Sequence, residues 1–150
     1  MAEFGLDRAR RVRKTSDYQE ISERGRRLSS AHFALFFLAR ESGGLRLGVT
    51  VSRKAAGKAH VRNRLKRWFR EYFRLSQGRI RERALEVMAP AGEWGLDLVF
   101  IARTGAAELS HSEADRELAG LAERMIKSLD QERAKRAGDL KRGPAGKGRS

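Results

Sequence analysis

Two hydrophobic periods follow each other in the middle of the chain, and together they predict a sheet covered by a helix. From Leu45 to Ser52, apolar and polar residues alternate strictly, as in a strand with one buried face. Between residues 59 and 75 the period becomes helical. One apolar stripe then contains Val61, Leu65, Trp68, Phe69 and Tyr72. This predicted helix therefore has an apolar side that can pack on the sheet.

The other side of the same helix concentrates positive charge. Residues 53–74 contain nine Lys or Arg and one acid, Glu71, in a chain of net charge +14. A run of like charges is usually a solvated face, but here the charges repel and have almost no acid with which to pair. A nucleic-acid backbone is the partner that fits best. We predict RNA contacts from Arg53, Lys54, Arg62, Asn63, Arg64, Lys66, Arg67, Arg70 and Arg74.

Length and composition limit the other possibilities. The 150 residues predict a single RNA-binding domain over 1–130 and a disordered basic tail over 131–150. No apolar run is long enough to cross a bilayer, and the N-terminus has no signal-peptide pattern. The chain has no cysteine, which fits the reducing cytosol. We therefore predict a cytoplasmic protein without a membrane partner.

The remaining segments predict a small α/β (α+β) fold. Ser16 to Gln19 has the spacing of a capping box for a helix over about 17–24, which ends near Gly25. An apolar strand follows within 31–40, and Gly43-Gly44 predicts the turn of an antiparallel hairpin. Three further segments complete the prediction: a buried strand over 96–102, a helix capped by Ser110 or Ser112, and an ambiguous 76–95 that extends or restarts a helix.

Strand alternation also groups residues that can form a groove. Within 45–52, Thr50 and Ser52 lie on the face opposite the core face. Phe36 lies on this second face too if its own strand presents the Phe36 side there. Gly48 on this face would let a nucleic-acid backbone or base approach closely. Aromatic rings beside cations can stack on single-stranded bases, although aromatics more often pack in a core.

Several motifs resemble the protein subunit of bacterial ribonuclease P. They are Leu47-Gly-Val-Thr-Val-Ser-Arg-Lys54, then Arg62-Asn-Arg-Leu-Lys-Arg67, then Arg70-Glu-Tyr-Phe-Arg74, with weaker matches at Phe4, Leu6 and Asp97 to Arg103. The resemblance covers about residues 4–129. It implies a sandwich of helices on a small mixed sheet, with a left-handed βαβ crossover around the basic helix. The fourth strand would come from the N-terminal segment or from an edge near 26–31.

The resemblance also implies a function. A catalytic RNA would cut precursor tRNA to release its 5′ leader, using Mg²⁺ held mainly by the RNA. The protein would be an accessory subunit of this endoribonuclease, with no catalytic or metal-binding residue of its own and no obligate protein partner. Its cleft for the single-stranded leader would contain Tyr18, Phe36, Thr50 and Ser52. The chain departs from the family at Ser22, where a second cleft aromatic is expected, and in the long connection 75–95.

Two other functions can be weighed for a basic α/β protein. A structural RNA-binding protein, such as a ribosomal protein, needs the basic surface but no leader cleft. A self-sufficient nuclease needs acids at metal-binding spacing, and none occur in the basic region. We therefore retain the ribosomal type as the alternative.

Overall fold

The described residues form four strands and three α-helices. The computed structural model describes residues 11–12, 14–88 and 92–148, with side chains as far as residue 135. The predicted matches at Phe4 and Leu6 lie outside these residues. The elements are α1 (Thr15–Arg24), β1 (Arg26–Ser29), β2 (Phe33–Arg40), β3 (Gly44–Val51), α2 (Ala59–Met88), β4 (Gly95–Ala102), a short 3-10 helix (Ala106–Glu108) and α3 (His111–Gly148).

The sheet is mixed and has the order β1-β2-β4-β3. Strands β3 and β4 are parallel and are joined through α2, which confirms the predicted crossover. The left-handed sense of that crossover stays a prediction from the resemblance. The fourth strand is the edge near 26–31, since β1 pairs antiparallel with β2.

The predicted hairpin between β2 and β3 is wrong, because β4 lies between them and pairs with both. The turn itself exists: Gly43 and Gly44 have φ of 103° and 66°, which favour glycine. Strand β4 is apolar on both faces and is buried along most of its length, so a central position hides it best. The alternating β3 needs only one buried face, which suits a sheet edge.

The two faces of the sheet carry different helices. Leu35 of β2, Leu47 of β3 and Phe100 of β4 face the main core with α2 and α3. Ile21 of α1 packs on the opposite face against Val99. Leu65 and Phe69 of the predicted stripe are buried, and Phe73, Ile80 and Ala84 extend the buried side of α2. The sheet is thus covered by two helices on one face and by the shorter α1 on part of the other.

The helix ends differ from expectation in two places. Helix α1 begins at Thr15, and Lys14 caps it without a side-chain hydrogen bond, so the capping box at Ser16 is wrong. Its end at Gly25 is confirmed, and a Cβ there would collide with the carbonyl oxygens of Ile21 and Phe37. For α3, the Glu113 amide donates to Ser110 Oγ (3.2 Å) and the Ser110 amide to Glu113 Oε1 (2.8 Å), which identifies Ser110 as the cap.

Two segments for which the sequence predicted no definite element are helical in the structure. Residues 76–88 extend α2 rather than starting a new helix. The backbone of α3 is helical as far as Gly148. The disorder expected over 131–150 stays a prediction. Gln131 to Ala137 are mostly strong helix formers, so the helix can propagate beyond its last core residue, Leu129. In the described part of the chain no helix is long and apolar enough to span a membrane.

Candidate nucleic-acid interface

The cationic side of α2 is a continuous surface over its first half. Asn63, Lys66, Arg67 and Arg70 are spaced three, four and seven residues apart, so they share one side of the helix. Asn63, Arg67 and Arg70 are exposed, and Lys66 is partly exposed. Within the described residues, none of these four side chains has a hydrogen bond or an ion pair with the protein. Their polar groups are therefore available to a ligand.

Two other predicted contacts, Arg62 and Arg64, are also used within the protein. Arg62 Nη1 donates to the carbonyl oxygens of Ala56 (3.0 Å) and Gly57 (2.8 Å), which holds the loop before α2. Arg64 Nη2 donates to the Ala107 carbonyl at 2.8 Å, and its guanidinium lies 5.4 Å from the centre of the Trp68 ring. These two arginines fix the N-terminal end of α2.

Arg74 carries an internal carboxylate partner. Its Nη2 lies 2.5 Å from Glu71 Oε2, one helical turn away. The hydrogen bond from Arg74 lowers the pKa of Glu71 against the opposing effect of desolvation. The same bond raises the pKa of Arg74. The acid within the basic segment thus neutralises one guanidinium, while the charges of Lys66, Arg67 and Arg70 remain uncompensated.

The loop after β3 adds exposed cations beside this surface. Arg53 and Lys54 lie two and three residues after Val51 and are both exposed, and no described residue pairs with them. Ser52 is exposed too, and its Oγ accepts a hydrogen bond from the Ala55 amide at 3.1 Å. The Ser52 hydroxyl therefore shapes the loop that presents the two cations.

Tyr18 and Phe36 lie together on the α1 face of the sheet, as predicted. Both are half-buried and pack against the cluster of Val12, Ile21 and Val99. Their rings thus combine core contacts with an exposed edge. Thr50 is exposed on the same face, beside Ile101 of β4. The cleft is the strip of sheet that α1 leaves open.

Gly48 has a different role from the one expected. A Cβ at this position would lie 2.9 Å from Tyr18 Oη and 3.1 Å from the ring carbons. The space above Gly48 is therefore filled by Tyr18, and no ligand backbone can enter there. The missing side chain allows the tyrosine ring to lie close to β3.

Sequence reasoning missed Arg27, which lies over the exposed side of the cleft. Its guanidinium is 5.7 Å from the centre of the Phe36 ring, and the two residues are paired across β1 and β2. A cation above an aromatic ring adds both charge and a flat surface. The cross-strand pairing was hidden because β1 has only four residues and no apolar alternation.

A buried charge network holds α1 over the sheet, and sequence reasoning missed it as well. Asp97 of β4 is fully buried and accepts hydrogen bonds from Arg40 Nε (2.6 Å) and Arg46 Nη2 (2.7 Å). Arg40 Nη2 also lies 2.8 Å from Glu20 of α1, and Arg46 Nη1 lies 3.6 Å from Asp17. The bond to Asp97 raises the pKa of Arg46, although burial opposes the shift. Tyr18 lies between Asp17 and Glu20 in sequence, so the network anchors the turn that carries the cleft aromatic.

The described residues do not fit a metal centre. They include no group of three or more His, Asp or Glu that could hold an ion. The one fully buried carboxylate, Asp97, is already saturated by two arginines.

Fold and surface define a class: small α+β proteins that combine a cationic helix with an aromatic cleft on a four-stranded sheet. The ribonuclease P family model, described as "Ribonuclease P", matches residues 6–126. The chain belongs to the ribonuclease P protein family. This membership also decides against the ribosomal alternative.

Individual relatives agree over most of the chain. The ribonuclease P protein component of Geotalea uraniireducens is 35% identical over 127 residues, covering 85% of this chain and 100% of the relative. That of Desulfovibrio desulfuricans is 37% identical over 133 residues, covering 86% and 92%. The RNase P protein structure from Thermotoga maritima has a TM-score of 0.58 and 33% identity, covering 76% of this chain and 96% of that one.

Proposed function

We propose that this chain is the protein subunit of ribonuclease P and assists a catalytic RNA in removing the 5′ leader from precursor tRNA. It is an accessory subunit of an endoribonuclease ribonucleoprotein, in which the RNA carries out the hydrolysis. The observation that carries the proposal is the uncompensated side of α2, in a chain whose relatives are named ribonuclease P protein components. We further propose that it acts in the cytoplasm.

The cationic side of α2 is suited to grip the catalytic RNA. Arg67 and Arg70 offer planar guanidinium groups that can bind phosphate in a bidentate way, and Lys66 adds a point charge. Asn63 can bond to sugar or to a base edge. Because these side chains have no hydrogen bond or ion pair with any described residue, binding RNA breaks no such internal bond. Arg62, Arg64 and Arg74 would add contacts at its margin through their remaining N–H groups.

The cleft on the α1 face is suited to the single-stranded leader of precursor tRNA. Tyr18 and Phe36 expose ring edges there, and Arg27 lies 5.7 Å from the Phe36 ring centre. Stacking tolerates any base, so such a cleft would accept leaders of different sequence. Thr50 and Ser52 line the way towards Arg53 and Lys54, which would hold the leader backbone.

Catalysis in this proposal belongs to the RNA. Mg²⁺ would be bound mainly by RNA phosphates and would supply the charge stabilisation that phosphodiester hydrolysis needs. The protein residues bind and orient the two RNAs. By neutralising phosphates, they would reduce the concentration of Mg²⁺ that the assembly requires.

Reconstitution tests this proposal directly. Cleavage of a precursor tRNA by the partner RNA is measured at low Mg²⁺ with and without the purified protein. We expect the protein to raise the rate, because it supplies positive charge and leader contacts that the RNA lacks. A boiled sample and an unrelated basic protein of similar charge are the controls. No gain over the unrelated protein would refute the proposal and favour a purely structural RNA-binding role.

A further inference from the structure

The cationic side of α2 continues beyond the family motif into the extended part of the helix. Helix α2 has 30 residues, and Arg81 follows Asn63 by 18 residues, which is five complete helical turns. Arg81 therefore points to the same side as Asn63, about 27 Å further along the axis. It is exposed, and it has no hydrogen bond or ion pair with any described residue.

The charges in the extension are segregated by helix side. Arg83 faces α3, where its Nη1 lies 2.9 Å from Glu123 Oε2 and its Nε 3.8 Å from Glu86 Oε1. Arg79 also faces α3, lining a small cavity with Ala119 and Glu123. Glu86 lies on this α3 side, 3.8 Å from Arg83, and Glu82 is turned about 100° away from Arg81 around the helix. No acid lies three or four residues from Arg81, which is the spacing of neighbours on one helix side.

The same side of the helix leads to an open cavity of mixed charge. Met88, seven residues after Arg81, lines this cavity of about 1050 Å³. Cations and acids both line it: Arg11, Lys14 and Arg24 lie there with Asp17, Glu20 and Glu41. The cationic side of α2 therefore reaches as far as Arg81 and does not continue into this cavity.

We propose that Arg81 binds a phosphate of the catalytic RNA, so that the RNA-binding surface of α2 extends over the whole helix. The inference rests on the proposed function, because it assigns to the extension the same partner as to Asn63, Arg67 and Arg70. Charge complementarity and continuity with that surface favour this RNA over a protein partner. Precursor tRNA is assigned to the cleft on the α1 face, so the contact at Arg81 belongs to the catalytic RNA.

A matched pair of variants tests this inference. Arg81→Ala is compared with Arg79→Ala, which removes an exposed arginine two residues away on the other side of the helix. Affinity for the catalytic RNA is measured between about 50 and 200 mM monovalent salt. We expect Arg81→Ala to weaken binding about threefold to tenfold and to reduce the salt slope by about 0.7–0.9. Arg79→Ala should leave both unchanged, and Arg81→Lys should retain most of the slope.

Each other outcome overturns the inference. Equal behaviour of the Arg81→Ala and Arg79→Ala proteins would show that the extension does not contact this RNA. If Arg81→Ala lost affinity for precursor tRNA alone, Arg81 would contact that RNA and not the catalytic RNA. A double variant, Arg67→Ala with Arg70→Ala, separates the inference from the proposed function. If the double variant loses affinity for the catalytic RNA while Arg81→Ala does not, only the inference fails. Circular dichroism and urea unfolding confirm that each variant is folded.

Discussion

Arginines that are neighbours in sequence have different partners in the structure. Arg62 donates to two backbone carbonyls of its own chain, whereas Arg67 is exposed and has no partner among the described residues. A guanidinium that already satisfies buried or half-buried carbonyls stabilises the fold, and one that is free can neutralise phosphate. The motif thus contains both structural and RNA-facing side chains.

This difference predicts that one substitution lowers stability and the other weakens RNA binding. Arg62→Ala should lower the free energy of unfolding by about 1–2 kcal/mol, since two carbonyls lose their donor. Arg67→Ala should leave stability within about 0.5 kcal/mol and reduce the salt slope of RNA binding by about 0.7–0.9. Urea unfolding and affinity at several salt concentrations measure the two effects. A reduced salt slope without lost stability for Arg62→Ala would contradict this division.

The cleft rings predict an effect that depends on the leader. Tyr18→Ala and Phe36→Ala should each weaken binding of precursor tRNA by about 1–3 kcal/mol, because a stacked base loses its platform. Binding of mature tRNA, which lacks the leader, should not change. Tyr18→Phe is the control, since it keeps the ring above Gly48. Equal losses for both substrates would mean that the rings serve packing only.

At the scale of elements, α1 depends on charge more than on apolar burial. Ile21 is its one fully buried residue, whereas Asp17 and Glu20 reach Arg40 and Arg46, which in turn bind Asp97. A buried charge without its partner is strongly unfavourable, so the four elements involved must dock together. The position of Tyr18 over Gly48 follows from this docking.

Asp97→Asn should therefore destabilise the fold and open the cleft. We expect a loss of about 3 kcal/mol in the free energy of unfolding, because two arginines lose their buried counter-ion. Asp130→Asn, which affects an exposed pair with Arg133, should cost less than about 1 kcal/mol. Urea unfolding compares the two variants, and the NMR signals of the Tyr18 ring report the cleft. Equal stabilities would show that the network has no role in docking α1.

On the scale of the whole molecule, α3 closes the edge of the sheet. Glu117 accepts hydrogen bonds from Ser30 Oγ and from the His32 amide (2.6 Å), both in the turn between β1 and β2. Burial opposes ionisation, but these bonds from Ser30 and His32 lower the pKa of Glu117 below its usual 4.5. The ionised carboxylate thus ties the last helix to the first hairpin.

Stability should fall with acid through this contact. A lowered folded-state pKa means that the stabilisation is complete above about pH 4.5 and is lost as the pH falls through the lower folded-state value. Glu117→Gln should cost about 1–2 kcal/mol at neutral pH. The gap in the free energy of unfolding between this variant and the parent should narrow below pH 4.5. Urea unfolding at several pH values measures it, and a gap that stays constant with pH would refute the assignment.

Local patterns in the chain were sufficient for several features. The stripe of α2, the alternation in β3 and the apolar β4 each predicted an element that the structure contains, because burial of one side depends on neighbouring residues alone. The charged side of α2 was readable for the same reason. The cleft pair of Tyr18 and Phe36 came from the family resemblance and strand parity.

Long-range partners were decided only by the tertiary structure. The sequence by itself determined which residues are apolar, charged and periodic, and therefore which elements form and which side of α2 is cationic. It did not determine that β4 separates β2 from β3, that Tyr18 fills the space over Gly48, or that Asp97 joins Arg40 and Arg46. These features depend on residues distant in sequence, whose pairing is set by how well whole surfaces pack and how fully buried charges are compensated.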